Sequence, residues 1–134
     1  MSLHIALVEP NNYHGEVLPP LAYLLSELGH KVTVFVTPFI ASQNPFVNLT
    51  TLDVEVREFE GQRVVLADYD LVVWSSIEPE RNIPLFRSIK KPSLAVVHDG
   101  SRILSDPYKE ILKSSNVSPI VLSKHFSTYL KISL

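Results

Sequence analysis

The residues of this chain best suited to chemistry are its histidines and the acids and amides near them. His98 follows the apolar run 94–97. An imidazole closing a buried strand, with an unperturbed pKa of about 6.5, could hydrogen-bond a ligand hydroxyl or stabilise developing charge, which makes His98 the catalytic candidate. A second group is the stretch Asn11-Asn12-Tyr13-His14-Gly15-Glu16, which offers amide, phenol, imidazole and carboxylate groups to a hydroxyl-bearing ligand. Asp99 and Arg102 follow His98, and Arg81 and Arg102 could clamp a phosphate. Each has a plain structural reading beside the functional one. A strand-end His bonds a neighbouring carbonyl, Asn pairs make turns, and an Asp before Gly100 bonds the amides of Ser101 or Arg102. An acid in the first turn of a helix is favoured by the helix dipole alone, and surface arginines are usually solvated.

Several sharper chemistries are excluded. A dinucleotide site needs G-x-G-x-x-G after the first strand and an acid closing the second; here one glycine stands in the first loop and strand two ends in Thr37-Pro38. No G-x-x-x-x-G-K-[ST] phosphate loop occurs. A phosphoacceptor receiver would need clustered acids after strand one, where only Glu9 fits, and an Asp ending strand three, whereas Asp68 and Asp70 precede strand four. Cysteine is absent, which removes disulfides, thiolate metal sites and a Cys nucleophile. His14, Glu16 and His98 could approach one another in a fold, but the five histidines lack close metal-ligand spacing. No cofactor and no metal are expected.

The elements that must position these groups follow from hydrophobic pattern. Apolar runs at 3–8, 32–36, 71–74, 94–97 and 120–122 are of strand length and suit strands buried on both faces. Residues 54–59 alternate apolar and charged, predicting a third strand at the sheet edge with one wet face. Val17, Leu18, Leu21, Leu24, Leu25 and Leu28 recur at helical spacing, with Pro19 and Pro20 in the first turn and Gly29 as the stop. Residues 82–89 read as a short helix, Asp106-Pro107 as the cap and first position of a helix over 108–114, and Ser123 as the cap of 124–131. Residues 39–52 carry no assignable pattern, and Trp74 in strand four reads as core.

Strands alternating with helices predict right-handed crossovers and an open, doubly wound parallel sheet. The expectation is a Rossmann-like α/β domain of about six strands in the order 3-2-1-4-5-6, with three α/β/α layers. Ligands of such sheets bind beyond the strand carboxyl ends where the order reverses, which selects the loops 9–16, 75–80 and 98–102. At 134 residues and 46% apolar content a single domain over 1–134 is expected. The formal charge of -2, without a basic tract, argues against nucleic acid and anionic membranes. Apolar runs stop well short of a bilayer span, and no basic, apolar and small-residue succession marks a signal peptide. A cytoplasmic location is expected. The sequons at Asn48 and Asn116 are read as chance.

With these residues in place, the chain resembles the N-terminal domain of GT-B glycosyltransferases, particularly the family-four-like kind. The resemblance rests on His4-Ile5-Ala6-Leu7-Val8 leading into His14-Gly15-Glu16 and on the join Leu28-Gly29-His30-Lys31-Val32. It continues through Tyr69-Asp70-Leu71-Val72-Val73, Lys91-Pro92 running to His98-Asp99, and Ile120-Val121-Leu122-Ser123. It covers nearly the whole chain in order and departs in the first loop, where His14-Gly15 stands in place of the family's usual glycine pair. The resemblance implies a domain that holds a sugar or lipid-linked acceptor and lines the cleft. A C-terminal domain would bind the nucleotide sugar, and without that domain this one would be inactive. The alternative is a non-catalytic module that uses the crevice or a sheet edge to bind a partner or to form a homo-oligomer.

Overall fold

The computed structural model describes residues 1–46, 54–59, 66, 68–76, 80–98, 106–113 and 116–121. Six strands, β1 (His4–Val8), β2 (Lys31–Val36), β3 (Val54–Glu58), β4 (Leu71–Trp74), β5 (Ser93–Val97) and β6 (Val117–Val121), form one sheet. Every pairing is parallel and the order is β3-β2-β1-β4-β5-β6, as the alternation of elements predicts. The described helices are α1 (Leu18–Glu27), α2 (Pro38–Ser42), α3 (Ile83–Ser88) and α4 (Asp106–Lys113).

Side chains alternate across each strand, so the inner strands feed two cores. Ile5 and Leu7 of β1 with Val32, Val34 and Val36 of β2 pack against Leu18 and Ala22 of α1 and Ile40 of α2. On the other face Ala6, Val8, Val72, Trp74, Ala95 and Val97 pack with Phe86 of α3 and Tyr108, Ile111 and Leu112 of α4. Trp74 is fully buried and stacks on Phe86 with ring centroids 4.0 Å apart, which makes it core, as expected.

Three local details refine the sequence reading. Thr37 caps α2, its Oγ1 accepting from the Ile40 amide at 3.3 Å with Pro38 in the first turn; a helix thus opens the stretch that showed no pattern. β6 starts at Val117 and contains Pro119, which an edge strand tolerates because, among the described residues, one side of its backbone bonds no neighbour. β3 lies at the other edge, as expected, but residues 55–58 are all exposed, Val56 among them at 41%, so it is wet on both faces. The predicted cap Ser123 and helix 124–131 fall outside the described residues. No helix among the described residues is long and apolar enough to cross a membrane.

The helix-to-strand join has a clear physical basis. Gly29 has φ +88°, its amide donates to Ser26 O at 2.9 Å, and the His30 amide donates to Leu25 O at 3.1 Å. These are the two bonds of a Schellman ending, which needs a left-handed residue. His30 Nδ1 then accepts from the Leu3 amide at 3.2 Å, and the Lys31 amide donates to Leu3 O, so the turn is tied to the start of β1. At the same end of the sheet Asp70 clamps β4 to β1: the His4 amide donates to Asp70 Oδ2, and the Asp70 amide to His4 O, both at 2.8 Å.

At the opposite end, Glu9 follows β1 and is fully buried. Its amide donates to Phe35 O at 3.0 Å on the β2 side, while its carboxylate turns toward β4. There Ser75 Oγ donates to Oε2 at 2.7 Å, and Ser76 Oγ lies 2.7 and 2.6 Å from the two carboxylate oxygens. The Ser75 amide donates to Val8 O at 3.0 Å. A carboxylate taken out of water is tolerated only when its oxygens are met by donors, and the register of β1 beside β4, Val8 opposite Trp74, delivers both serines to that place.

Replacing Glu9 with Ala removes the acceptor for two buried hydroxyls and opens a void, so urea unfolding should show a loss of about 3 kcal/mol. Glu9→Gln keeps an acceptor and the volume and should lose only about 1 kcal/mol; equal losses would refute the bonding role of the carboxylate. Gly29→Ala meets no atom within 4 Å of the added Cβ, so only its backbone strain remains, and the same measurement should show a loss of about 1 kcal/mol.

Candidate functional site

The loops after β1, β4 and β5 meet at the carboxyl end of the sheet, and the polar residues there form two layers. The inner layer extends the Glu9 cluster. Asn11 is fully buried; its Nδ2 donates to Ser76 Oγ at 2.9 Å, and its Oδ1 accepts from Asn82 Nδ2 at 2.9 Å and from Arg81 Nη2 at 3.4 Å. Asn82 precedes α3 and is itself buried. One amide side chain therefore holds the first loop to the fourth and to the start of α3. Asn11, expected among the ligand-binding groups, has its amide directed inward, and Arg81 is drawn onto it.

The outer layer is built on two imidazoles. His14 adopts φ 63°, ψ 18°, the left-handed region, and its carbonyl accepts from the Val17 amide at 3.1 Å to start the 3-10 turn Gly15–Val17. A residue with a Cβ is strained there by about 1 kcal/mol. The ring lies flat on His98, with centroids 4.1 Å apart and planes 8° from parallel, while Tyr13 meets His14 edge-on at 4.9 Å. Glu16 Oε1 stands 3.8 Å from His14 Nδ1, but its side chain is 77% exposed, so any ion pair with protonated His14 is weak.

His98 makes the contact that the plain reading anticipates: Nε2 lies 2.5 Å from Ser75 O. A carbonyl only accepts, so Nε2 carries the proton, and in the neutral ring Nδ1 is left with a lone pair. The first and fifth loops are thus joined by ring stacking, and the fourth and fifth by a hydrogen bond. Asp99 and Arg102 lie outside the described residues.

Beside this layer a cleft of about 500 Å³ opens between the first loop and α2. Residues Asn12, Tyr13, His14, Gly15 and Glu16 form one wall, and Ile40, Gln43 and Pro45 the other. Gly15 permits the approach, since a Cβ there would stand 3.1 Å from Ile40 Cδ1. The structure thus brings five of the six first-loop candidates to one cleft with His98 behind His14. The cleft lies on the β2 side of β1, whereas the crevice between β1 and β4 is floored by Glu9, Asn11, Ser75 and Ser76. Among the described residues no three His, Asp or Glu side chains are grouped to hold a metal ion.

The buried members Glu9, Ser75, Ser76 and Asn82 are not among the candidate residues, although the first three lie in the selected loops 9–16 and 75–80. The available signal was position: an acid immediately after a strand buried on both faces, and a serine pair immediately after the strand that lies beside it.

No protein-family model matches the sequence, and no curated protein does. The likeness lies with solved structures. MT0777 superposes with a TM-score of 0.63 at 11% identity, over 98% of each chain. UGT89C1 of Arabidopsis thaliana, a UDP-glycosyltransferase solved in complex with UDP, superposes with a TM-score of 0.63 at 15% identity. That match covers 98% of this chain and 49% of UGT89C1, so the chain spans about half of that protein's length. At such identities the likeness is one of fold: an open, Rossmann-like α/β sheet of the kind found in a glycosyltransferase.

Proposed function

We propose that this chain is the acceptor-side, N-terminal domain of a GT-B-type glycosyltransferase, working with a C-terminal domain that binds the nucleotide sugar. The observation that carries this reading is the cleft beside the first loop, where amide, phenol, imidazole and carboxylate groups converge next to the stacked His14 and His98. Such a wall suits a ligand rich in hydroxyls, because each group can donate or accept a hydrogen bond and the aromatic faces suit the apolar face of a sugar ring. The fold-level likeness to half of UGT89C1 supports it.

In this reading His98 is the catalytic residue. Its Nε2 proton is committed to the Ser75 carbonyl, so Nδ1 is the nitrogen that takes a hydrogen bond, and then the proton, from an acceptor hydroxyl as that oxygen attacks the donor sugar. His14 holds the ring from one face. Asn12, Tyr13 and Glu16 orient the acceptor, and Asn11 positions the loop from beneath. Sugar transfer also requires the leaving phosphate to be held against the attacking hydroxyl, and this requires the second wall of the cleft. The domain alone is therefore a binder and not a catalyst. Asp99 and Arg102 belong to the same reading as acceptor-side groups, and a cytoplasmic location fits a nucleotide-sugar donor.

Calorimetry of the purified chain against nucleotide sugars, free nucleotides, simple sugars and lipid-phosphate acceptors tests the assignment. Saturable acceptor binding without nucleotide binding is expected. Nucleotide binding would contradict the acceptor-side assignment, and silence throughout would favour a non-catalytic binding module. His98→Ala should weaken acceptor binding by about tenfold, roughly 1.4 kcal/mol. It should lower stability by only about 1 kcal/mol through the lost bond to Ser75. A large stability loss with unchanged binding would make His98 a structural residue.

A further inference from the structure

Among the described residues the outer edge of β3 pairs with no strand. β3 ends the sheet, residues 55–58 are exposed, and its sequence Val54-Glu55-Val56-Arg57-Glu58 sets opposite charges, Glu55 and Arg57, on either side of its central Val56. We propose that two copies of this chain associate edge to edge through β3, antiparallel about a two-fold axis at Val56, joining their sheets into one.

The backbone has the right phase for this. The Phe59 amide donates to Val36 O at 3.0 Å, and Val36 is in register with Glu58, so Arg57 and Phe59 face β2. Successive strand residues present their amide and carbonyl to opposite sides, which leaves those of Val54, Val56 and Glu58 directed outward. With the axis at Val56, the two Val56 residues exchange both of their hydrogen bonds, and each Val54 does the same with Glu58 of the second copy.

The side chains select the same axis. Glu55 and Arg57 share one face, with Arg57 Nε donating to Glu55 Oε1 at 2.8 Å. The two-fold axis sets each Glu55 opposite Arg57 of the second copy, so four charges alternate in sign around a square. An axis at Glu55 or at Arg57 would instead set like charges against each other, which is unfavourable. The bond from Arg57 also lowers the Glu55 carboxyl from its ordinary value. On the other face Val56, 41% exposed, lies in register with the buried core residue Val34 and would be covered by its copy. Nearby α2 leaves Phe39 51% exposed on that same face. Charged edge residues ordinarily keep sheets apart; here their alternation matches a second copy and few other strands.

Association of this kind is isologous and closes at two copies. The clefts at the strand carboxyl ends then point in opposite directions, so both stay open.

Sedimentation velocity of the full chain over a hundredfold range of concentration should show a monomer–dimer equilibrium. Arg57→Glu places like charges across the axis and should raise the dissociation constant at least about tenfold. The double exchange Glu55→Arg with Arg57→Glu restores the alternation and should return it to within about threefold of the parent. Val56→Pro removes an outward amide without touching a bond to β2 and should abolish the dimer while the thermal midpoint holds. A monomer at every concentration would overturn the proposal, as would a dimer that neither Arg57→Glu nor Val56→Pro disturbs.

Discussion

A carboxylate buried where the strand order reverses is the constraint around which this fold is organised. Glu9 sits at the end of β1, the strand shared by both halves of the sheet, and is closed off from water. Its charge or polarity must be met locally, and parallel pairing brings donors alongside. Ser75 and Ser76 answer it from the loop directly after β4. The cluster therefore works as a register lock, since a slip of β4 by one residue would face the carboxylate with Trp74 in place of a hydroxyl.

Further polar groups at this end of the sheet build on that lock. Asn11 bonds Ser76 and Asn82, which fixes the first loop against the start of α3. Beyond Asn11 in the same loop, His14 takes the left-handed conformation. In doing so it lays its ring on His98, whose other contact is the carbonyl of Ser75. Buried acid, buried amide and surface imidazoles thus form a continuous chain from the sheet to the cleft. The crevice that strand order marks for a ligand is floored by this chain, and open volume appears beside it, where Gly15 lets the loop approach Ile40.

The two edges of the sheet differ for reasons of composition. β6 carries Pro119 in mid-strand, and proline supplies no amide for further pairing. β3 carries no proline and exposes its amides beside charges that alternate in sign. One edge is chemically closed, and the other is selective.

Sequence by itself determined the class of fold, because continuous apolar runs need cover on both faces and the intervening periodic segments supply it. It also marked Gly29, Pro19 and the Asp106-Pro107 helix start, whose signals are local. It did not yield α2, although Thr37-Pro38 carries the same kind of signal as Asp106-Pro107. Five residues are too few to show a helical period. It missed the true start of β6, because Pro119 interrupts the apolar pattern there. For the site, sequence supplied the first loop and His98, both of which announce themselves by residue type next to strand ends. Only the tertiary structure decided that Asn11 faces inward, that His14 covers His98, and that Glu9 is the keystone. Glu9 and Ser75 lie 66 positions apart, and no pattern in a linear chain encodes which polar groups burial will force to meet.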